Sequence, residues 1–292
     1  MLVKSSRLRS WSCLTNFTPL ENMFRVIADY ALMFRLSSSV TGAILVWRSS
    51  VRHELPLRAW APAALAVLLA FAATFALNDA TDSEVDQINT PWRPVARGSI
   101  PTRIAVGCAV VAYCLALLAV IWTGIFAQVF AFCIIVIASA TYSFTWRYVA
   151  SVKNLGVAIL IASTSIVPLL GTDVIDTGDT MVFATVFLFM LQKEIVSDVR
   201  DLRGDTYNGR QTMVQLRPAM AASIVITSSV LLFIILTKFW NWNSSFILFV
   251  ISLVLIGNSV VSTWAILCRH YRCARSYLYF ANAVALVGVF AL

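Results

Sequence analysis

The chain has 292 residues, 60% of them hydrophobic and 12% charged, with a formal charge of +8 and a mean hydropathy of +0.82. A soluble domain of this size cannot bury so much apolar surface, and a disordered chain is polar and charged. An all-α integral membrane protein is left, with lipid as the solvent that must be satisfied.

Residues 1–27 carry Lys4, Arg7, Arg9 and Arg25 and lack an apolar run followed by a small-residue cleavage site. They read as a cytoplasmic, interfacial segment ahead of a transmembrane domain at 28–292. A spanning helix needs roughly 20 apolar residues. Nine such spans are predicted, near 28–47, 59–77, 104–123, 125–143, 154–171, 180–196, 219–237, 244–267 and 276–292. The first contains Arg35, which must face protein or snorkel. Counting Lys193, near the end of the sixth span, with the loop that follows it, 17 of the 22 Lys and Arg fall on the side of the N-terminus and four on the other, Arg35 lying within a helix. That bias places the N-terminus in the cytoplasm. Basic residues lying between apolar runs suit anionic headgroups, so no nucleic-acid partner is expected.

Acidic residues are scarce, and eight of the fourteen fall in two windows. The first is Asn78-Asp79-Ala-Thr-Asp82-Ser-Glu84-Val-Asp86, at the end of the second span. The second runs from Lys193-Glu194 through Asp198 and Asp201 to Asp205, at the end of the sixth. Residues three or four apart share a helix face. Asn78, Asp82 and Asp86 therefore form one oxygen-rich stripe, and Glu194, Asp198, Asp201 and Asp205 form another. Carboxylates so close repel unless a cation bridges them. Oxygen donors without His or Cys point to Mg²⁺ or Ca²⁺, and Mg²⁺ completes its shell with water and substrate phosphate. Two facing stripes suit a diphosphate held through metals, whose charge would stabilise a departing diphosphate. Arg93, fixed between Pro91 and Pro94, suits bidentate phosphate contact.

Other chemistry is absent from the pattern. His53 and His270 lack a nucleophile or metal partner in sequence, and the six cysteines form no CxxC. There is no P-loop and no dinucleotide fingerprint.

Asn78-Asp79-x-x-Asp82-x-x-x-Asp86, continuing through Ile88-Asn89-x-Pro91-x-Arg93-Pro94, resembles the first signature of the UbiA superfamily of intramembrane prenyltransferases. The second window resembles that family's second aspartate motif, in the form of the branch that includes geranylgeranylglyceryl phosphate synthases. The resemblance implies a helical bundle with a central cavity open to lipid, in which Mg²⁺ holds an isoprenoid diphosphate between the motifs. Ionisation gives an allylic cation that a small acceptor attacks. Carried onto this chain, Asn78, Asp82 and Asp86 would serve one metal, and Asp198, Asp201 and Asp205 the other. Asp79 and Glu194 would stand behind these ligands, and Arg93 would hold diphosphate.

The chain departs from the family in two places. Where the family often has Tyr-x-x-x-Lys, this chain reads Tyr142-Ser-Phe-Thr-Trp146-Arg147, so Arg147, Lys153 or Lys193 must supply the missing charge, with Tyr142 orienting diphosphate. Where the first helix commonly has Arg-Pro-x-Asn, it reads Arg35-Leu-Ser-Ser-Ser39, which leaves the acceptor open. Two alternatives to prenyl transfer follow. One is a terpene cyclase of the same superfamily, its cation stabilised by aromatic faces, with Trp47, Trp60, Trp122, Trp146 and Trp264 as candidates. The other is a cation-binding transporter, although transport predicts acids near helix centres and these lie at helix ends.

Overall fold

The computed structural model describes residues 18–145 and 149–239 and, beyond them, Gly257, 260–269, Ala274 and 276–277. Every regular element among the described residues is helical. In chain order these are α1 (Pro19–Met33), α2 (Leu36–Arg52), α3 (Leu57–Thr81), α4 (Ser83–Asn89), α5 (Thr102–Ile121), α6 (Phe126–Tyr142), α7 (Ala150–Ser163), α8 (Thr177–Tyr207), α9 (Met213–Leu216) and α10 (Pro218–Phe239). A 3₁₀ turn, Val167–Leu169, lies between α7 and α8.

Four of these helices are long and apolar enough to cross a membrane: α3, α5, α8 and residues Pro218–Ile235 of α10. The α1–α2 pair makes a fifth if a 54° bend is allowed within one span. The expected nine is therefore not reached among the described residues. The spans expected at 244–267 and 276–292 lie largely outside them, and α6 and α7 are shorter apolar helices.

Two expectations are corrected. The first predicted span, 28–47, is not one continuous helix but falls on parts of two, α1 and α2. α1 starts at Thr18, whose hydroxyl caps the helix in a capping box with Glu21. It ends before Arg35, which adopts the left-handed conformation at φ 43° and ψ 55°. For a non-glycine residue this costs on the order of 1–3 kcal/mol. The contacts offsetting it are an ion pair from Nη2 to Asp79 Oδ1 at 2.8 Å and the Phe75 ring, whose centroid lies 4.6 Å from Cζ. The second correction concerns the first acidic stripe. The chain leaves the helix at Asp82, where φ is −103° and ψ 9°, and resumes as α4. Asn78, Asp82 and Asp86 thus come from a helix end, a joint and a second short helix rather than from one unbroken helix, yet the Asp82 and Asp86 amides still donate four residues back, at 2.8 Å each, and all three side chains line one cavity.

α3 carries buried alanines along its length, among them Ala63, Ala66, Ala70, Ala73 and Ala76. α5 answers with Ala105, Ala109, Ala112 and Ala116 at helical spacing. Small residues let backbones approach closely where lipid offers no hydrophobic drive between helices. Gly42 of α2 serves the same end, since a Cβ there would meet Phe71 Cε2 at 2.7 Å. Polar bonds tie the layers together inside: Thr74 Oγ1 to Tyr113 OH at 2.9 Å, and Tyr113 OH to Ser139 Oγ at 3.2 Å, link α3, α5 and α6. A second core joins α2, α7, α8 and α10 through Leu45, Ala158, Val186, Met190 and Val225.

α8 is the longest element, 31 residues, so roughly 46 Å at 1.5 Å per residue. Each end is anchored. At its N-terminus Asp176 and Asp179 form a capping box, and Arg52 and His53 at the end of α2 bind both acids. Gly178 leaves room for Arg52, whose Nη2 would lie 2.2 Å from any Cβ there. Near the C-terminus Asn89 of α4 docks side-on. Its Nδ2 donates to the Asp201 carbonyl at 2.9 Å, and its Oδ1 accepts from the Gly204 amide at 2.8 Å. A Cβ on Gly204 would lie 2.5 Å from Asn89 Nδ2. This clamp sets the separation of the two acidic windows.

Two predictions follow from this packing. Gly42→Leu overpacks the α2–α3 contact and should cost about 1–3 kcal/mol, read as a lower thermal midpoint in detergent. Asn89→Ala and Gly204→Ala should each destabilise by about 1–3 kcal/mol. Because both break one clamp, the double variant should lose clearly less than the two losses combined; a fully additive cycle would show that the contact couples nothing.

Candidate active site

The two windows meet in one cavity of about 380 Å³ where α4, the C-terminal half of α8 and the α1–α2 joint converge. Asn78, Asp82, Asp86, Glu194, Asp201 and Asp205 line it, and so do Arg93, Lys153, Lys193 and Tyr142. Two expected residues stand behind the wall: Asp79 and Asp198 are buried. Arg147 lies outside the described residues.

Every aspartate of the two windows has a cationic partner. Asp79 is held by Arg35, and Arg93 lies 3.3 Å from its Oδ1. Asp86 accepts from Arg93 Nη1 at 2.5 Å and from Thr90 Oγ1 at 2.8 Å. Burial pushes the Asp86 carboxyl above the ordinary carboxylate range, while Arg93 and Thr90 pull it back. Arg210 joins the windows, with Nη2 2.6 Å from Asp82 and Nη1 3.8 Å from Asp205. Arg200 grips Asp201 with two parallel bonds, at 2.6 and 2.5 Å. Asp198 takes Lys153 Nζ at 2.5 Å and Asn154 Nδ2 at 3.0 Å.

Sequence reasoning missed Arg35, Arg200 and Arg210 as site members. In sequence, an Arg beside a membrane span looks the same whether it faces headgroups or a carboxylate. The only signal was proximity: Arg210 lies five residues after Asp205 and Arg200 next to Asp201.

The oxygen donors fit a hard cation, since neither His nor Cys reaches this cavity. Their ligand atoms do not converge as a ready-made site. Among the described residues, the one group of three or more His, Cys or acidic ligand atoms lying within 4.8 Å of one another is His53, Asp176 and Asp179. That group sits at the opposite end of α8, and Arg52 already holds its carboxylates.

A second, apolar chamber of about 140 Å³ continues from the cavity, lined by Ala70, Phe71, Thr74, Ile135, Ser139 and Leu160. Arg35, Phe75, Asn78, Tyr142 and Glu194 border both spaces and form the neck between them. The aromatic faces at the cavity are thus Phe75, Tyr142 and Trp92, with Phe71 deeper in. Trp47, Trp60, Trp122 and Trp264, the candidates for a cyclase, line neither space, and Trp146 lies outside the described residues.

A model of the UbiA prenyltransferase family matches residues 36–284. A digeranylgeranylglyceryl phosphate synthase of Pyrococcus abyssi is 32% identical over 175 residues, which cover 56% of this chain and 62% of that protein. Its counterpart from Sulfolobus acidocaldarius is 31% identical over 179 residues, covering 57% and 58%. The match therefore spans less than two thirds of either relative. In fold, the chain is similar to a UbiA homologue from Archaeoglobus fulgidus bound to GPP and Mg²⁺, with a TM-score of 0.62 at 18% identity, covering 90% of this chain and 98% of that one. It is also similar to a UbiA homologue from Aeropyrum pernix K1, with a TM-score of 0.66 at 15% identity, covering 88% and 98%. With the family model extending over most of its length, the chain belongs to the UbiA prenyltransferase family.

Proposed function

We propose that the protein is a Mg²⁺-dependent intramembrane enzyme that ionises an isoprenoid diphosphate and transfers the prenyl group to a small acceptor. The observation carrying this reading is the joined cavity, with acids and cations at one end and an apolar chamber at the other. An amphiphile with a highly charged head and a hydrocarbon tail fits that gradient. The A. fulgidus homologue bound to GPP and Mg²⁺ supports the choice of head and metal. The relatives' name, digeranylgeranylglyceryl phosphate synthase, supports a hydroxyl-bearing glyceryl phosphate lipid as the acceptor class.

Asn78, Asp82 and Asp86 would hold one Mg²⁺, and Asp201 and Asp205 the other. Asp198, now bound to Lys153 and Asn154, would belong to the second set. When bound, Mg²⁺ supplies charge that offsets the negative charge growing on a leaving diphosphate. The chain's own groups do the rest. Arg93, Lys193, Lys153 and Tyr142 all line the cavity and would bind the head, and Arg147 is assigned the same role. The guanidinium groups that hold the acids apart exchange carboxylate for phosphate oxygen, a partner of equal charge and fork geometry. The apolar chamber takes the first isoprene units and keeps water from the cation. The family reading carries with it nine spans around a lipid-facing cavity, with the acidic windows toward the cytoplasm, the side that the Lys and Arg bias favours.

The test uses purified protein in detergent with Mg²⁺ and allylic diphosphates of several lengths. Diphosphate release and hexane-extractable hydrocarbon are followed with and without glyceryl phosphate lipids. Acceptor-dependent release is expected, abolished by a chelator and restored by Mg²⁺. Asp82→Asn should lower kcat by about 10²–10³-fold, the scale of losing one charge-stabilising group. Cyclic hydrocarbon without acceptor would replace transfer by cyclisation. Cation flux into vesicles with no diphosphate release from any substrate would replace the enzyme by a transporter.

A further inference from the structure

Glu194 stands apart from the other acids of the site. Among the described residues its carboxylate has no hydrogen-bond or ion-pair partner, whereas Asp79, Asp82, Asp86, Asp198, Asp201 and Asp205 each have one. Glu194 also borders both the charged cavity and the apolar chamber. The neck it occupies has three other polar members: Arg35, Asn78 and Tyr142. Arg35 is bound to Asp79, Asn78 carries no charge, and a phenol is a weak base. Glu194 is the one carboxylate at this neck.

Position gives that carboxylate a task. In a prenyl diphosphate seated with its head among the cations and its tail in the chamber, the carbon bearing oxygen, C1, lies at the junction of head and tail. The nucleophile must arrive at the same point. A hydroxyl that attacks carbon becomes an oxonium unless its proton leaves, so a base has to stand there. Paired carboxylates are poor bases, because a neighbouring guanidinium or ammonium opposes protonation.

We propose that Glu194 is the proton acceptor of the transfer step, a role that rests on the prenyl-transfer reading above. The C1–O bond to diphosphate breaks, and its electron pair leaves with the diphosphate. A lone pair of the acceptor hydroxyl forms the new C1–O bond. The hydroxyl proton passes to a Glu194 carboxylate oxygen and then to water. The charged and titratable groups around Glu194 are Lys193, Asp198 and Arg200 on its own helix, Lys153 on α7, Tyr142 on α6 and Arg35 at the α1–α2 joint.

The experiment compares wild type, Glu194→Gln and Glu194→Asp with two acceptors of the same shape, one bearing a hydroxyl and one a thiol ionised at the assay pH. With the hydroxyl acceptor, kcat of Glu194→Gln should fall by about 100-fold or more, the usual scale of general-base loss. KM for the diphosphate and the Mg²⁺ concentration for half-maximal rate should stay at wild-type values. With the thiolate acceptor, which carries no proton to remove, the defect should shrink to a few-fold. An unchanged kcat, an equal defect with both acceptors, or a Mg²⁺ requirement that moves with the rate would overturn the proposal. Should Glu194→Gln fail to fold, Glu194→Asp takes its place: a rate lowered for the hydroxyl alone supports the role, and equal effects on both acceptors overturn it. Wild-type protein that transfers to neither acceptor would overturn the prenyl-transfer reading itself, which the variants alone do not reach.

Discussion

A carboxylate taken out of water needs opposite charge beside it, and the architecture around the cavity is organised by that requirement. Six aspartates from two distant stretches of chain lie within or just behind one cavity wall, and each is held by a guanidinium or an ammonium. The pairs have structural reach. Arg35 bends the first apolar stretch to reach Asp79, Arg93 turns the segment after α4 back onto Asp86, and Arg210 brings the chain after α8 up to Asp82. Removing one member of such a pair leaves a buried charge uncompensated, which costs far more than the pair contributes when intact.

The same pairing makes the cavity a place of exchange. A phosphate oxygen and a carboxylate oxygen make the same demands on a guanidinium, so a charged head can enter without leaving any cation bare. The apolar chamber works by the opposite logic. Its alanine, phenylalanine and leucine walls bind nothing specific, and the Thr74–Tyr113–Ser139 hydrogen bonds keep its few polar atoms satisfied with one another. Between the two spaces, Glu194 is the acid left unengaged.

Hydropathy and acidic spacing revealed the membrane class, four of the apolar helices (α3, α5, α6 and α10) to within a few residues, and the two windows that meet in the cavity. The spacing of Asn78, Asp82 and Asp86 brings the three to one cavity, but a period of four does not show that the helix is interrupted at Asp82. The break at Arg35 was hidden for a related reason. Apolar residues flank it on both sides, and only the contacts with Asp79 and Phe75, more than 35 positions away, make its left-handed backbone tolerable. The cationic half of the site was illegible because a membrane protein places arginines beside its spans for orientation in any case. Nor does sequence distance show which of Arg147, Lys153 and Lys193 meets Asp198; the packing of α7 against α8 brings Lys153 there.

The continuity of α8 has a consequence for how this chain tolerates change in length. One end is pinned by the bonds of Asp176 and Asp179 to Arg52 and His53, the other by Asn89 across Gly204, with no loop between. One residue inserted between the two anchors would rotate everything beyond it by about 100° and slide it by about 1.5 Å. Glu194 and all three aspartates would then face lipid or protein instead of the cavity. Within α8 the chain counts residues as a ruler does, and the distance between its two fixed marks is set by what they hold.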